Sequence, residues 1–275
     1  MPEGPEIRRA VDKISKKLVG KKIESINFYY HKLEKYNNII KNPMINSIST
    51  RGKAILIRFD NGLTMYSHNQ LYGKWTVNFK KTKINTNRSL RVEFLTNNYA
   101  IRLWSATDIE IIDTEKEEDH PYIRKLGPDI LNKTLTINTI LNRLKSNKFN
   151  NRSSSSLMLD QSFLSGIGNY LRSEILHQSK VNPFSKPKEM SDEKLLKWAE
   201  NIKKISNLAY TTGGITVSNS TMLSGKERGE KRKSYRHSAF CRNGLPCHYC
   251  GIKIIRIRIG SRRLDYCPNC QKKDT

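Results

Sequence analysis

Cysteine is missing from the first 240 residues of this 275-residue chain, and all five cysteines fall between Cys241 and Cys270. A disulfide-stapled secreted domain spreads its cysteines out, so this clustering argues against a disulfide framework and for metal. Acidic residues are scarce as well: 25 stand against 50 Lys and Arg, a formal net charge of +25. That imbalance points to a polyanion, most economically nucleic acid, with an anionic membrane as the competing partner. Long apolar runs are absent. Hydrophobic residues make up 36% of the chain, and no stretch is long enough to span a bilayer. The opening Glu6-Ile7-Arg8-Arg9-Ala10 is too polar for a signal peptide, so the sequence reads as an intracellular protein without membrane association. Its length suits two domains of ordinary size.

Ile7, Ala10, Val11, Ile14 and Leu18 recur at helical spacing, predicting a helix over 5–18 that Gly20 ends. The period then changes. Strands are expected at 23–30, 45–50, 53–59, 63–68, 90–96 and 99–104, separated by turn signals such as Asp60-Asn61-Gly62. One helix followed by many short strands suggests a β-sandwich. Residues 114–120 carry four acids before Pro121 and read as a linker or a solvated loop. Beyond them the pattern is helical: one helix around Ile137, Ile140, Leu141 and Leu144 with Thr136 as cap, a short one over 157–163, one over 170–178, and one capped by Ser191. Residues 213–235, rich in Gly, Ser and Lys, read as a long flexible loop.

The first residues, Met1-Pro2-Glu3-Gly4-Pro5-Glu6, allow two readings. They can be a turn that starts a helix. Alternatively, loss of Met1 leaves Pro2 as a free secondary amine, titrating near pH ~8, that can attack an electrophilic carbon. Glu3 beside it could then move protons. Cys247-His248-Tyr249-Cys250 and Cys267-Pro268-Asn269-Cys270 are two C-x2-C knuckles 16 residues apart, the pattern of a four-cysteine zinc site. Cys241 is left over and is expected to be buried rather than ligating. Between the knuckles 252–259 alternates Ile with Lys and Arg, one arm of a hairpin with Gly260-Ser261-Arg262-Arg263 at its turn. Zinc would fix so small a unit. The two arginines can serve as plain phosphate contacts or as a basic tip delivered into a cleft. Gly168-Asn169 opens a helix, either as a phosphate cradle of free N–H groups or as an ordinary cap. Lys53, after Arg51-Gly52, is a proton carrier at a sugar or a surface lysine. Gln70-Leu71-Tyr72 forms either a loop that wedges into a base stack or the end of a buried strand.

Together these pieces resemble the formamidopyrimidine-DNA glycosylase / endonuclease VIII family, closest to bacterial endonuclease VIII, over nearly the whole chain. The likeness rests on Pro2-Glu3-Gly4-Pro5-Glu6-Ile7, Arg51-Gly52-Lys53-Ala54, Tyr66-Ser67-His68-Asn69-Gln70-Leu71-Tyr72-Gly73, Gly127-Pro128-Asp129, Leu159-Asp160-Gln161, Gly166-Ile167-Gly168-Asn169-Tyr170-Leu171-Arg172 and the cysteine knuckles. It implies an α+β multidomain protein: an N-terminal β-sandwich with a leading helix over 1–115, a linker over 116–122, a helix–two-turn–helix domain over 123–232 and a zinc-finger hairpin over 233–275. It implies a bifunctional glycosylase and abasic-site lyase of base excision repair that acts on damaged double-stranded DNA. Carried over by position, Pro2 is the Schiff-base nucleophile, Glu3 the acid in base release, Lys53 a proton donor around β-elimination, and Arg262 the residue of δ-elimination. Gln70, Leu71, Tyr72, Lys125 and Asn169 are DNA-binding positions. Lys125 stands where the resemblance leads one to expect arginine, and it keeps the charge without the bidentate fork. Arg263 adjoins Arg262, and the 213–235 loop departs from the family pattern. One structural zinc is implied at Cys247, Cys250, Cys267 and Cys270. The expected enzyme is a cytoplasmic, nucleoid-associated monomer that prefers oxidised pyrimidines. A glycosylase for oxidised purines and a non-catalytic damaged-DNA-binding protein are the alternatives.

Overall fold

Helix α1 spans Gly4–Leu18 in a computed structural model that describes residues 2–41 and 43–273. Its Ile7, Val11, Ile14 and Leu18 share one face and are all buried. Pro5 lies in the first turn, where its missing N–H removes no helical hydrogen bond, and Glu6 complements the helix dipole. Gly20 follows in the left-handed region at φ 65° and turns the chain away.

Eight strands come next: β1 (Ile23–Phe28), β2 (Ile45–Arg51), β3 (Ala54–Phe59), β4 (Leu63–His68), β5 (Lys74–Phe79), β6 (Leu90–Thr96), β7 (Tyr99–Trp104) and β8 (Asp108–Asp113). They form two antiparallel four-stranded sheets of order β1-β6-β7-β5 and β2-β3-β4-β8. Two of the eight, β5 and β8, were not expected from the sequence. Both lie at a sheet edge and alternate polar with apolar residues, Trp75, Val77 and Phe79 in β5 and Ile109 and Ile111 in β8, a period-2 signal that the expected strands leave out. Ile55, Ile57 and Phe59 of β3 join α1 in the sandwich core. The opposite face of β3 is covered too, because Ala54 and Leu56 pack with Tyr66 and Ile123.

The acidic run is structured. Thr114–Asp119 is a 3-10 helix, and its Glu117 is buried. The Glu117 carboxylate accepts from Arg58 Nη2 at 2.6 Å and from Thr64 Oγ1 at 2.7 Å. A second 3-10 turn, Ile123–Lys125, follows.

The later part of the chain holds helices α2 (Ile137–Lys145), α3 (Ser154–Leu157), α4 (Asn169–Gln178), α5 (Asp192–Thr212), α6 (Asn219–Glu227) and α7 (Arg232–Tyr235), then the hairpin β9 (Ile255–Ile259) and β10 (Arg262–Tyr266). The expected caps are in place: Thr136 Oγ1 accepts from the Thr139 N–H at 3.0 Å, and Ser191 Oγ from that of Lys194 at 3.3 Å. Leu171, Ile175 and Leu176 of α4 pack with Trp198 and Ile202 of α5 in this unit's core.

Three expectations are corrected here. The helix expected over 157–163 ends at Leu157, because Asp160 Oδ1 accepts from the Ser162 N–H at 2.8 Å, an Asx turn that competes with helix. Residues 213–235 are not one long loop but contain α6 and α7. Ser218 caps α6 through the Thr221 N–H at 3.2 Å, and Gly225 gives Tyr235 room, since a Cβ there would lie 2.4 Å from the tyrosine Cβ. The hairpin arm starts at Ile255 rather than Ile252, and its turn is only Gly260-Ser261, with Gly260 at φ 58°.

By its contacts the chain divides into two compact units: Glu6–Lys125 with Pro2, and Leu126–Thr275 with Glu3–Pro5. Among the described residues no helix is long and apolar enough to cross a membrane.

Glu117→Ala should strip Arg58 of its buried partner and lower stability by about 2 kcal/mol, less than a fully buried pair because Arg58 keeps some exposure. A denaturant midpoint that falls with an unchanged slope is the expected result.

Candidate active site and zinc centre

In the second unit the Glu3 carboxylate is seated on the N-terminus of α4. Oε2 accepts from the N–H of Gly168 at 2.7 Å and of Leu171 at 3.2 Å, and Oε1 from that of Tyr170 at 2.9 Å. Helix N-termini leave such donors unpaired, and the dipole there favours an anionic group. Glycine makes the approach possible: a Cβ at Gly168 would lie 2.4 Å from Glu3 Cδ. The Gly4 N–H also donates to Gly166 O at 2.8 Å, and Gly166 holds φ 102°. Gln161 braces this loop, donating to Ile167 O and accepting from the Gly166 N–H, both at 3.0 Å. The phosphate cradle expected at Gly168-Asn169 is therefore corrected, because three of its donors go to Glu3. Gly168 is the cap and Asn169 the first helical residue. Asn169 is half-buried, and its Oδ1 has no hydrogen-bond partner among the described residues.

The far face of α4 is unusually polar for a buried surface. Arg172, Ser173, Glu174 and His177 are all buried, and each meets the hairpin or the segment before it. Arg172 Nη2 donates to Arg263 O at 2.6 Å. Burial pushes the Arg172 guanidinium down to about 10; Glu3 pulls it up, Arg262 pushes it down, and Asp265 pulls it up. Ser173 Oγ accepts from the Asp265 N–H at 3.3 Å. Glu174 accepts from the N–H groups of Ser238, Ala239 and Phe240 and from Thr216 Oγ1, at 2.6–2.8 Å. His177 Nε2 lies 3.3 Å from Cys247 Sγ, and burial pushes this imidazole down to about 4.

At the hairpin tip the adjacent arginines differ. Arg262 is exposed. Arg263 lies over the Phe240 ring, 4.2 Å from its centroid, and reaches Cys241 Sγ at 3.0 Å. Cys241, expected to be buried, is exposed at φ 64°, held by a hydrogen bond from its N–H to Asp265 Oδ2 at 2.7 Å. A tight turn, not an apolar pocket, places it.

The four knuckle cysteines fit zinc. Their Sγ atoms all lie within 4.8 Å of one another, with Cys247–Cys270 at 3.8 Å and Cys250–Cys267 at 3.5 Å. A tetrahedron with Zn–S bonds of about 2.3 Å has edges of about 3.8 Å. Backbone N–H groups of Tyr249 and Cys270 also point at Cys247 and Cys267 sulfurs, at 3.5 and 3.4 Å.

In the first unit Pro2 is half-buried. Lys53 sits in the two-residue turn between β2 and β3, where Gly52 holds φ 60°, and its N–H donates to Tyr122 Oη at 3.2 Å. Gln70-Leu71-Tyr72 is a projecting turn, not a continued strand: Leu71 is 65% and Tyr72 70% exposed. The Gly73 N–H closes it onto Asn69 O at 2.7 Å. Lys125 ends its 3-10 turn exposed.

A β-sandwich with a leading helix, a helical unit organised on α4 and a cysteine-held hairpin define a multidomain α+β protein with a zinc finger. Comparison with known proteins specifies it further. Residues 1–111 match the formamidopyrimidine-DNA glycosylase N-terminal domain, 126–221 its H2TH domain, and 244–273 the zinc finger found in FPG and IleRS. Endonuclease 8 of Salmonella arizonae is 42% identical over 99% of this chain and 100% of its own. Endonuclease 8 of Klebsiella pneumoniae is 42% identical over 98% and 100%. The Lactococcus lactis formamidopyrimidine-DNA glycosylase bound to abasic-site DNA superposes with a TM-score of 0.80 at 21% identity, covering 98% of this chain and 100% of that one. The chain belongs to the formamidopyrimidine-DNA glycosylase / endonuclease VIII family. It is a DNA glycosylase and abasic-site lyase of base excision repair, with one structural zinc held by Cys247, Cys250, Cys267 and Cys270.

Metal analysis should return one zinc per chain. Cys267→Ser should lose it, disorder β9–β10 and weaken DNA binding, while hydrogen exchange in β3, β4, β6 and β7 stays protected.

Proposed function

We propose that the enzyme removes oxidised pyrimidines through a Schiff base at Pro2, followed by β- and δ-elimination. One observation carries the reading: the carboxyl group of Glu3, one peptide from the Pro2 nitrogen, is fixed by three backbone N–H donors at the start of α4. A turn that merely starts a helix would not need a buried, fully positioned acid. Full-length likeness to two endonuclease 8 proteins supports the substrate class.

The steps follow from the chemistry. The damaged nucleotide leaves the stack so that an amine can reach C1′. Leu71, an exposed apolar wedge, and Tyr72, by stacking, fill the space left behind, and Gln70 bonds the orphan base. The Pro2 nitrogen attacks C1′, the base departs with a proton handled by Glu3, and an iminium remains. The iminium acidifies the 2′ proton. Its loss breaks the C3′–O bond, with Lys53 serving proton transfer, and the 3′ phosphate leaves. A second elimination breaks the C5′–O bond and leaves a one-nucleotide gap. Arg262, free at the tip, serves this step; Arg263 is committed to Phe240 and Cys241. Asn169 and Lys125 contact backbone phosphates, Asn169 by donating from its amide Nδ2 and Lys125 from its ammonium. The protein works as a monomer on cytoplasmic, nucleoid DNA, and its +25 charge provides most of the binding energy.

Two measurements check this. Borohydride should trap a covalent adduct with a duplex carrying thymine glycol, and the trapped protein's intact mass should lack Met1, since an acylated Pro2 nitrogen is no nucleophile. Single-turnover excision of thymine glycol opposite adenine should outpace that of 8-oxoguanine opposite cytosine; the reverse order would assign the enzyme to oxidised purines.

Arg262→Ala should slow the second elimination on the order of 10²-fold and shift gel products toward the β-elimination end. An unchanged product ratio would move the role away from Arg262.

A further inference from the structure

The turn that carries Gln70 is held by two groups that the proposed chemistry does not use. Gln70 is a non-glycine residue at φ 48°, a conformation that costs roughly 1–2 kcal/mol. Its N–H donates to His68 Nδ1 at 3.1 Å, and its side-chain Nε2 donates to Asp108 Oδ2 at 2.9 Å. The same Oδ2 accepts from Tyr66 Oη at 3.4 Å. His68 and Asp108 face each other as paired residues of β4 and β8, so the sheet register itself sets the two ends of this clasp. The His68 ring meets the Tyr122 ring edge-on at 5.1 Å, and Tyr122 Oη receives the Lys53 N–H. Gln70, though exposed as a residue, is thus anchored through both its backbone and its amide.

We propose that Asp108 is a positioning residue for damage recognition: by accepting from Gln70 Nε2 it keeps the Gln70-Leu71-Tyr72 turn preformed before DNA is bound. This rests on the wedge reading above. A preformed turn loses less conformational freedom on insertion, so Asp108 acts on base extrusion in the duplex and not on the lyase chemistry. Hydrogen bonds to a charged acceptor are the strong ones, and that suits a clasp that must offset backbone strain.

The test is a double-mutant cycle with single-turnover kinetics on the full-length, zinc-loaded protein. Asp108→Ala should slow thymine glycol excision from duplex about fivefold to tenfold and leave cleavage of a single-stranded abasic site unchanged. Asp108→Asn, which keeps an acceptor oxygen, should restore most of the duplex rate. Asp108→Ala combined with Gln70→Ala should be no slower than Gln70→Ala alone. Additive losses in the double variant, equal losses on single-stranded and duplex substrates, or no loss in Asp108→Ala would each overturn the proposal. Leu71→Ala separates the two readings: a normal duplex rate there defeats the wedge while leaving an observed Asp108–Gln70 coupling intact.

Discussion

The Glu3 carboxylate on the N-terminus of α4 is the contact on which the start of that helix and the loop before it depend. Three hydrogen bonds between a carboxylate and backbone donors are charge-assisted and shielded from water, with Glu3 only 4% exposed. They require Gly168, because any side chain there would occupy the space of the carboxylate. They also require the loop to hold its donors in line, which Gln161 and the left-handed Gly166 do. One short stretch of glycine-rich sequence is therefore needed for one acid 165 residues away in the chain. Such a seat fixes both the position and the orientation of the carboxylate.

The same helix holds the zinc hairpin from its other side, and it does so with polar groups. A hydrophobic stripe would permit sliding. Arg172, Ser173, Glu174 and His177 each have a specific partner in the hairpin, the cysteine knuckle or the segment before them, which adds direction to the apolar packing of Leu264. Buried polar networks of this kind are costly unless nearly every group is satisfied. Glu174 meets that condition with four donors, although burial still pushes its carboxyl up. Zinc and α4 divide the work: the metal closes the cysteine knuckles, and the helix orients the strands between them.

Much of this was legible in the sequence, and what was not has identifiable causes. Helix α1 and strands β3 and β6 announce themselves by apolar period, and the zinc site by cysteine spacing. Edge strands β5 and β8 do alternate, but each is short and brings only two or three apolar residues, Trp75, Val77 and Phe79 or Ile109 and Ile111, between charged neighbours. Helix α4 shows almost no amphipathic signal because it is buried all round, Arg172, Ser173, Glu174 and His177 as well as Leu171, Ile175 and Leu176; a reading by hydrophobicity assigns the polar four to solvent. The seat of Glu3 could have been inferred by matching an acid near the N-terminus with the helix start at Gly168-Asn169. The sequence instead suggested a phosphate for that position, since both are anions seeking the same donors. Asp108 carried no local signal at all, because its meaning comes from strand pairing with His68.

The hairpin shows how one residue of register decides chemistry. A turn of Gly260-Ser261 alone makes Arg262 the first residue of β10, paired with Ile259. Side chains alternate along a strand, so Arg262 shares a face with Leu264, which is fully buried in the helical core. That face is the one turned to α4, and the charge of Arg262 is felt by Arg172. Arg263 falls on the opposite face with Asp265 and packs on Phe240. Had the turn taken in both arginines, as the run Gly260-Ser261-Arg262-Arg263 suggested, the alternation would no longer separate them. Two adjacent arginines of identical chemistry thus acquire different surroundings: Arg263 packs on Phe240, and Arg262 is left exposed.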